Sequence, residues 1–566
     1  MMMNQAKLQF ISNSTDDVEI FGISDHCFKC NLQFLGQTSF GHPFIFAVDS
    51  IWPYRIQLKT KNTGSQTTFQ HTQHFSEGGE YNISFDQYED QIVNFQSHLI
   101  NKPTNQYLPL IVLSSFLLGF IILWPLFKLA RRHIRKLKGE ETNYFMEMEE
   151  WEQKIDSLSR DNTNNSDERK KRNQRKKRLR SIDVFRGITI CLMIFVNYGG
   201  GGYHFFQHSV WNGLTITDLV FPWFMFIMGI SITLSFNSFR KSAKTYKQAF
   251  VDILVRSVKL FALGMLLNMG QNMTTWRVPG VLQRFAICYL FVATLNLFTY
   301  PSQKTLILVN SRSWTSPFKD LVPHLIQWFI MFAIVASHII VTFKLDVPGC
   351  PRGYLGPGGL DNHGHYENCT GGAAGYIDRL VLGDNHIYGY PTCKEMYQTK
   401  QHFDPEGILG ILPSLLLTFL GVHAGEIITL FPSHKSRLLR WLVWALITAG
   451  IGISMTFGTL NEGIIPINKN LWSISFVLVS ASTCYIMMIL CYLLNDIRRI
   501  WNGAPFYFCG MNAIALYLGH MLIPFNFYWH TDPQTHTSAT VRAGGGTLIW
   551  IIWAYYLYWK KLFFTV

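Results

Sequence analysis

The chain has 566 residues, of which 48% are hydrophobic, 15% aromatic and only 15% charged, and its formal net charge is +13. These shares, together with several apolar runs of about twenty residues, exclude an ordinary soluble enzyme and predict a polytopic membrane protein. The excess positive charge is concentrated in short loops and one long loop, which indicates membrane topology rather than a nucleic-acid partner.

The first part of the chain, residues 1–107, is polar, with short alternating apolar runs separated by turn residues. This pattern predicts a small β-rich domain, and the sequons at Asn13 and Asn82 fit a glycosylated, lumenal location. The opening MMMNQAKLQF is no signal-peptide core, so either the natural chain starts earlier or the first span acts as a reverse anchor. Cys27-x-x-Cys30 lacks a second zinc-binding pair, and a structural disulfide, within the pair or to another cysteine, is expected.

A first transmembrane helix is predicted at 108–130, and the loop 131–180 that follows it is strongly basic. The run RKKRNQRKKRLR is, in isolation, also typical of nuclear import, but directly before a span it indicates a cytosolic loop near anionic lipid. The region 181–566 holds ten more apolar segments, which makes about eleven helices in a mainly α protein. The ten are 183–199, 214–237, 247–269, 281–299, 323–343, 407–429, 439–457, 470–493, 503–524 and 544–563.

Alternation from a cytosolic 131–180 loop places every short basic loop and the C-terminus in the cytosol. The N-terminal domain and the loop 345–405, with its sequon at Asn368, are then lumenal. That loop is rich in Gly, Pro, His and Cys, which predicts an ordered cap. Cys350 and Cys369 are spaced to close a loop, and Cys393 either pairs with the N-terminal domain or stays free. The spacing of its four histidines fits no common metal site: His363, His365, His386 and His402.

Polar residues interrupt the apolar stretch from 181 to 236. Asp183 and Arg186 lie one helical turn apart, and Asn197 returns to nearly the same face. Ionisable groups inside a span are costly and by default mark a functional site, although a structural ion pair and a helix-end cap are the simpler alternatives. A glycine- and aromatic-rich loop with His208 follows, and Thr215-x-x-Asp218 predicts a capping box that opens the next helix.

Seven motifs in order resemble the heparan-alpha-glucosaminide N-acetyltransferase family. They are NYGGG, WNGLT-x-x-DLVFPWF, PGVLQR, PGCPRGYLGPGG, NCTGGAAGYIDR, DPEGILG and NEG-x-x-P-x-NKNLWS. The resemblance runs from residue 181 to the C-terminus and is weak over the first hundred residues. It implies a lysosomal membrane enzyme, a homodimer, that transfers acetyl from cytosolic acetyl-CoA to the terminal glucosamine of lumenal heparan sulfate.

The resemblance favours His208 as the catalytic residue, whereas a lone histidine would more simply be an interfacial one. The imidazole would act as the nucleophile or as the general base, and partial burial would keep it neutral in an acidic lumen. Asn197 would hydrogen-bond the thioester carbonyl or orient the imidazole.

The remaining candidate residues are assigned to the two substrates, and no metal or nucleic acid is expected. The residues predicted to bind acetyl-CoA are Asp183, Arg186, Arg284 and His520. The residues predicted to bind the sugar are Asp218, Asn461, Glu462, Asn468 and Lys469, although the last four also fit an ordinary loop. The alternative functions are a transporter whose buried polar residues line a solute pathway, for which we find no internal repeat, and an acyltransferase for another lumenal amine.

Overall fold

The computed structural model describes residues 3–12, 17–39, 42–60, 68–88, 91–103, 105–115, 179–240, 245–268, 272–300, 318–523 and 533–564, and the single residues 119, 123 and 130. Three sequence predictions therefore fall largely outside the described residues. They are the sequon at Asn13, the greater part of the span 108–130, and nearly all of the basic loop 131–180.

The N-terminal part is a sandwich of two four-stranded sheets, which confirms the predicted β-rich region. The first sheet has the order β4-β1-β7-β8, with β1 and β7 parallel, and the second has the antiparallel order β3-β2-β5-β6. Alternate residues of β1, such as Leu8 and Phe10, are buried together with Ile20 and Ile56 of the second sheet. The strands are β1 (Gln5–Ser12), β2 (Val18–Ser24), β3 (Gln33–Thr38), β4 (Phe44–Asp49), β5 (Tyr54–Thr60), β6 (Thr68–Gln73), β7 (Glu80–Tyr88) and β8 (Gln91–Asn101).

The described chain beyond residue 179 is mainly helical. Its helices are α1 (Arg180–Asn197), α2 (Ile216–Phe239), α3 (Tyr246–Leu267), α4 (Val281–Thr299), α5 (Leu325–Lys344), α6 (Gly372–Leu382), α7 (Ile411–Leu430), α8 (His434–Ser454), α9 (Ile474–Cys491), α10 (Phe506–Met511), α11 (Ala513–Leu522) and α12 (His536–Trp559). Within the described ranges, six helical stretches are long and apolar enough to cross a membrane, those containing α2, α4, α5, α7, α8 and α9. These six match predicted spans, and the other five stay predictions.

Helix α7 is the most deeply buried of these six and packs closely against α2. A Cβ added to Gly229 would lie 2.1 Å from the backbone oxygen of Thr418, and one added to Gly421 would lie 2.1 Å from that of Phe226. Small residues allow the two helix backbones to approach closely, and the resulting van der Waals contact stabilises helix pairs in a membrane. The contact fixes α2, and therefore the loop that precedes it.

The predicted span 503–524 is divided into α10 and α11 at Asn512. The side-chain oxygen of Asn512 accepts a hydrogen bond from the backbone N–H of Phe564, 3.1 Å away. The backbone of Asn512 is not helical, with φ of −121°, and the hydropathy pattern did not reveal this break. Before the break, Gly510 of α10 packs directly on the backbone of Asp183 in α1.

The loop 345–405 is ordered, as predicted, and contacts both the N-terminal domain and the residues after His208. Disulfides join Cys27 to Cys30 and Cys350 to Cys369, while Cys393 is a buried free thiol. The first disulfide is part of one apolar cluster with Trp211 and Phe403, among others. We refer to residues 345–405 as the cap.

Candidate active site

The loop that carries His208 begins with four glycines in unusual backbone conformations. Gly199 to Gly202 all have positive φ, between 56° and 100°, which residues with side chains rarely adopt. A Cβ at Gly200 would lie 2.5 Å from Cβ of Phe206. These glycines let the chain reverse tightly after α1 and place the residues before α2 over the helix ends.

His208 is paired with Asp218, which lies ten residues later in the first turn of α2. The distance from His208 Nδ1 to Asp218 Oδ1 is 2.7 Å. The other oxygen, Oδ2, accepts from the backbone N–H groups of Ser209 and Thr215 and from the Thr215 hydroxyl, so the predicted capping box is present. An ionised carboxylate can only accept, so this contact favours the tautomer with the ring proton on Nδ1 and the lone pair on Nε2.

The pair is open on the histidine side. The Asp218 side chain is fully buried, whereas 41% of the His208 side chain is exposed. Asp218 lies behind His208, where it orients the ring, and its predicted contact with the sugar stays a prediction.

Lys469 completes the group. Its Nζ lies 2.8 Å from Nδ1 and 3.2 Å from Nε2 of His208, and 3.6 Å from Asp218 Oδ1. Partial burial lowers the pKa of His208, and the Lys469 ammonium lowers it further; the Asp218 carboxylate opposes both without overcoming them. The imidazole therefore stays neutral to a lower pH than a free histidine.

A chain of amides connects the His208 loop to the loop before α9. The Asn212 side chain donates to Asn461 Oδ1 at 2.8 Å and accepts from Asn468 Nδ2 at 3.0 Å. Asn468 is fully buried and its oxygen accepts from the backbone of Leu471. Asn461 and Asn468 therefore contact Asn212, and Lys469 contacts His208, while Glu462 is exposed and bonds Thr459 through its backbone N–H. Binding of the sugar by these four residues stays a prediction.

Beside Lys469 lies an acidic group that the sequence analysis did not single out. Arg277 Nη2 binds Asp404 Oδ1 at 2.6 Å and Glu406 Oε2 at 2.5 Å. The fields of Lys469 and Arg277 outweigh the burial of Glu406, so the pKa of its carboxyl is lowered, and Glu406 in turn acts on His208. The sequence feature that could have indicated this group is DPEG, in which two acidic residues separated by one proline stand directly before a span.

Asn197, predicted as a catalytic residue, and His520, predicted to bind acetyl-CoA, contact each other. The distance from Asn197 Nδ2 to His520 Nε2 is 2.9 Å, and His520 Nδ1 bonds the backbone oxygen of Leu516. Asn197 is exposed and His520 is buried. The imidazole of His208 is therefore oriented by Asp218 and Lys469 rather than by Asn197, whose contact with the acyl group stays a prediction.

The other residues predicted to bind acetyl-CoA do not form one cluster. Arg186 binds Asp183 at 3.2 Å and the hydroxyl of Ser231 at 3.1 Å, near α10. Arg284 is buried under the DPEG segment, where it donates to the backbone oxygens of Pro405 and Gly407, and it stacks on Trp472. Among the described residues, only Nη2 of the guanidinium is bonded, whereas Nε and Nη1 are buried without a hydrogen-bond partner. The contact of Arg284 with acetyl-CoA stays a prediction.

Metal binding has no support in the geometry of the described ranges, which contain no group of three or more His, Cys, Asp or Glu side chains placed to hold an ion. Three of the four histidines in the cap contact other protein groups. His363 contacts Asn31, His386 the backbone oxygen of Trp276, and His402 that of Asp384.

Comparison with known proteins gives one family. Residues 178–339 match the family model described as heparan-alpha-glucosaminide N-acetyltransferase, catalytic. The chain is 35% identical to the mouse protein called heparan-alpha-glucosaminide N-acetyltransferase, over 97% of this chain and 86% of the mouse chain. It is 43% identical to the human protein of that name, over 69% of this chain and 60% of the human one. The chain therefore belongs to the heparan-alpha-glucosaminide N-acetyltransferase family and is an N-acetyltransferase.

Proposed function

We propose that the protein transfers acetyl from cytosolic acetyl-CoA to the terminal glucosamine of heparan sulfate in the lysosomal lumen, with His208 as the reacting side chain. The single observation that carries this proposal is the His208–Asp218 pair, in which an accessible imidazole is held by a buried carboxylate. Family membership supports the substrates, because both relatives are named for acetylation of heparan-alpha-glucosaminide.

The chemistry asked of His208 requires the lone pair on Nε2, so the Lys469 ammonium, 3.2 Å from that atom, has to turn away from it when the substrates bind. With Nδ1 donating to Asp218, Nε2 can take the proton from the attacking amine, so that the new N–C bond forms as the C–S bond breaks and the thiol leaves. Alternatively Nε2 attacks the acetyl carbon, the C–S bond breaks and the CoA thiol leaves. The amine then attacks the acetyl-imidazole, the Nε2–C bond breaks, and Nε2 takes the proton that the amine loses. Asp218 stabilises the imidazolium character that develops in either route.

Lys469 suits this role because an acidic compartment would otherwise protonate the ring. An ordinary histidine, with a pKa of about 6.5, is mostly cationic below pH 6 and has no lone pair to offer. The ammonium beside the ring disfavours that second positive charge. The nearby carboxylate of Glu406 gives the acceptor's own ammonium an attractive field.

Proteoliposomes test the transfer and its direction together. Acetyl-CoA is supplied outside, glucosamine is enclosed inside, and CoA release and enclosed acetylglucosamine are both measured. We expect enclosed product to form only when both substrates are present. Because CoA is too highly charged to cross the bilayer, that product must come from transfer of acetyl through the protein. Product appearing only when the amine is outside would contradict the transmembrane direction.

His208→Ala tests the residue in the same vesicles. The variant is expected to release CoA at the background rate while keeping the wild-type melting temperature. His204→Ala, four residues earlier in the same loop and half-buried, is the matched control and should keep turnover. Wild-type turnover by His208→Ala would remove His208 from the mechanism.

A further inference from the structure

His536, the first residue of α12, lies between the N-terminal domain and the glycine-rich loop and contacts both. Its Nε2 lies 3.0 Å and 3.1 Å from the two carboxylate oxygens of Glu77, in the turn before β7. Its Nδ1 lies 2.8 Å from the backbone oxygen of Gly201. The ring also stacks on Tyr203, with 4.4 Å between the ring centres.

Both ring nitrogens of His536 therefore face groups that only accept hydrogen bonds. A carbonyl oxygen has no proton to donate, and neither does an ionised carboxylate. A neutral imidazole has one N–H, so one of its nitrogens would place a lone pair against an oxygen lone pair. The contact is complete only when the ring is the imidazolium and both nitrogens donate.

We propose that His536 is a positioning residue for the His208 loop, and that its protonation closes a clasp between the N-terminal domain and that loop. The clasp consists of His536, Glu77, Gly201 and Tyr203. The idea that it acts on turnover rests on the function proposed above, whereas the clasp itself does not.

A second set of contacts runs beside the clasp. Asn4 donates through its side chain to the backbone oxygen of Gly202 at 2.9 Å and through its backbone N–H to Glu77 at 3.0 Å. Glu77 is thus bonded to both sides of the junction, and its side chain is only 9% exposed. Loss of the Glu77–His536 bond would leave the loop held at one edge by Asn4.

The position of the clasp gives it a route to the active site. Gly201 and Tyr203 belong to the reversal that follows α1, and His208 lies five residues beyond Tyr203 in the same loop. Helix dipoles disfavour a cation at a helix N-terminus, where His536 lies. The imidazolium therefore depends on Glu77, which couples the loop to the N-terminal domain.

The charges around the ring agree with this dependence. In the part of the chain that the structure describes, Glu77 is the charged group acting on His536, and Tyr203 is the titratable group stacked on it; His204 interacts with Asp49 instead. Burial opposes the charge on His536, but the bonds to Glu77 and Gly201 outweigh it and raise its pKa. Burial likewise opposes the charge on Glu77, but His536 and Asn4 outweigh it and lower its pKa.

The pH window follows from these two directions. The contribution of His536 is fully present below its ordinary pKa of 6.5 and is lost as the pH rises through its raised value. The contribution of Glu77 is present above its ordinary pKa of 4.5 and is lost as the pH falls through its lowered value. The clasp is closed between these limits, in mildly acidic solution, and opens towards alkaline pH.

Hydrogen exchange on the full chain in nanodiscs, without substrates, tests the clasp. Peptides covering 199–206 are followed from pH 5.5 to pH 8 after correction for intrinsic exchange, with peptides from β5 as the reference for global unfolding. We expect several-fold loss of protection in 199–206 towards pH 8 and none in β5. Equal protection of 199–206 across this range would overturn the proposal.

Two variants assign the titration. His536→Gln cannot become a cation, and Glu77→Gln keeps the size of Glu77 without its charge, so both should abolish or strongly reduce the pH dependence. His98→Gln, an exposed histidine of the same domain paired with Gln96, should keep it. An unchanged pH dependence in Glu77→Gln would overturn the proposal even if His536→Gln did not fold.

Turnover gives a readout that a merely structural role would not move. In Glu77→Gln the alkaline limb of the kcat profile is expected to shift about one pH unit towards acid. A wild-type protein with normal turnover but no pH dependence of exchange in 199–206 would refute the clasp alone. A wild-type protein without turnover would refute only the proposed function.

Discussion

Among the histidine–aspartate pairs in the described chain beyond residue 179, two differ in whether the imidazole is open to solvent. His208 and Asp218 are 2.7 Å apart, with the histidine 41% exposed. His423 of α7 and Asp320 are 3.3 Å apart, with both side chains almost fully buried. Asp320 also binds Arg440 and Trp444, and Nδ1 of His423 lies 3.4 Å from the Tyr485 hydroxyl.

The pairs share residue types but not access. His423 is buried and packs against Trp328, Trp444 and Tyr485. The His208 pair has a buried carboxylate and an open imidazole. The access to the ring therefore separates the two pairs, and access is what the proposed role of His208 requires.

The largest expected effect comes from Asp218→Asn. The amide can present its N–H to His208 and favour the wrong tautomer, so we expect kcat to fall about a thousandfold with little change in KM. CoA release by the purified protein measures this. Asp384→Asn, at the exposed pair with His402 in the cap, is the control and should leave kcat unchanged. Equal losses of kcat in Asp218→Asn and Asp384→Asn would contradict a specific role for Asp218.

Lys469→Met tests the electrostatic part of the comparison. Removing the cation allows the pKa of His208 to rise, so the acid limb of the kcat/KM profile should move about one pH unit towards neutral, with about tenfold less activity on that limb. Lys400→Met, which removes an exposed cap lysine paired with Glu367, should leave the profile in place. A shift of the acid limb to lower pH would show that Lys469 acts in another way.

The smallest effect on turnover is expected from His423→Ala. Because this pair is closed, its loss should cost stability, about 2 kcal/mol in the free energy of unfolding, while kcat per folded molecule stays within about twofold. Thermal unfolding and active-site-normalised CoA release measure the two quantities. A large fall in kcat with unchanged stability would make the buried pair functional and contradict the access argument.

Periodicity alone carried much of the architecture. The strand alternation around Leu8 and Phe10 predicted the N-terminal sheets, because a strand buried on one face has apolar residues at every second position. The length of the apolar runs predicted the spans that contain α2 and α7, because a helix that crosses a membrane needs about twenty apolar residues. The break at Asn512 was not predicted, since one amide in an apolar run does not disclose whether its partner is in the same helix.

Within the site, the sequence supplied His208 and its neighbourhood, and the capping pattern Thr215-x-x-Asp218 placed Asp218 at the start of α2. It did not pair Asp218 with His208, because a pattern along the chain cannot show which way a carboxylate faces. It also did not single out Glu406 and Arg277, which are 129 residues apart and meet only across the folded loops.

By itself, then, the sequence determined the class of protein, most of its helices, its family resemblance and the histidine on which to focus, because these depend on local composition and order. Only the tertiary structure decided that Asp218 and Lys469 hold His208, that Asn197 meets His520 instead, and that His536 joins two regions. Those contacts connect residues from 10 to 459 positions apart. Their geometry is set by close packing of whole helices and sheets, which no single stretch of chain contains.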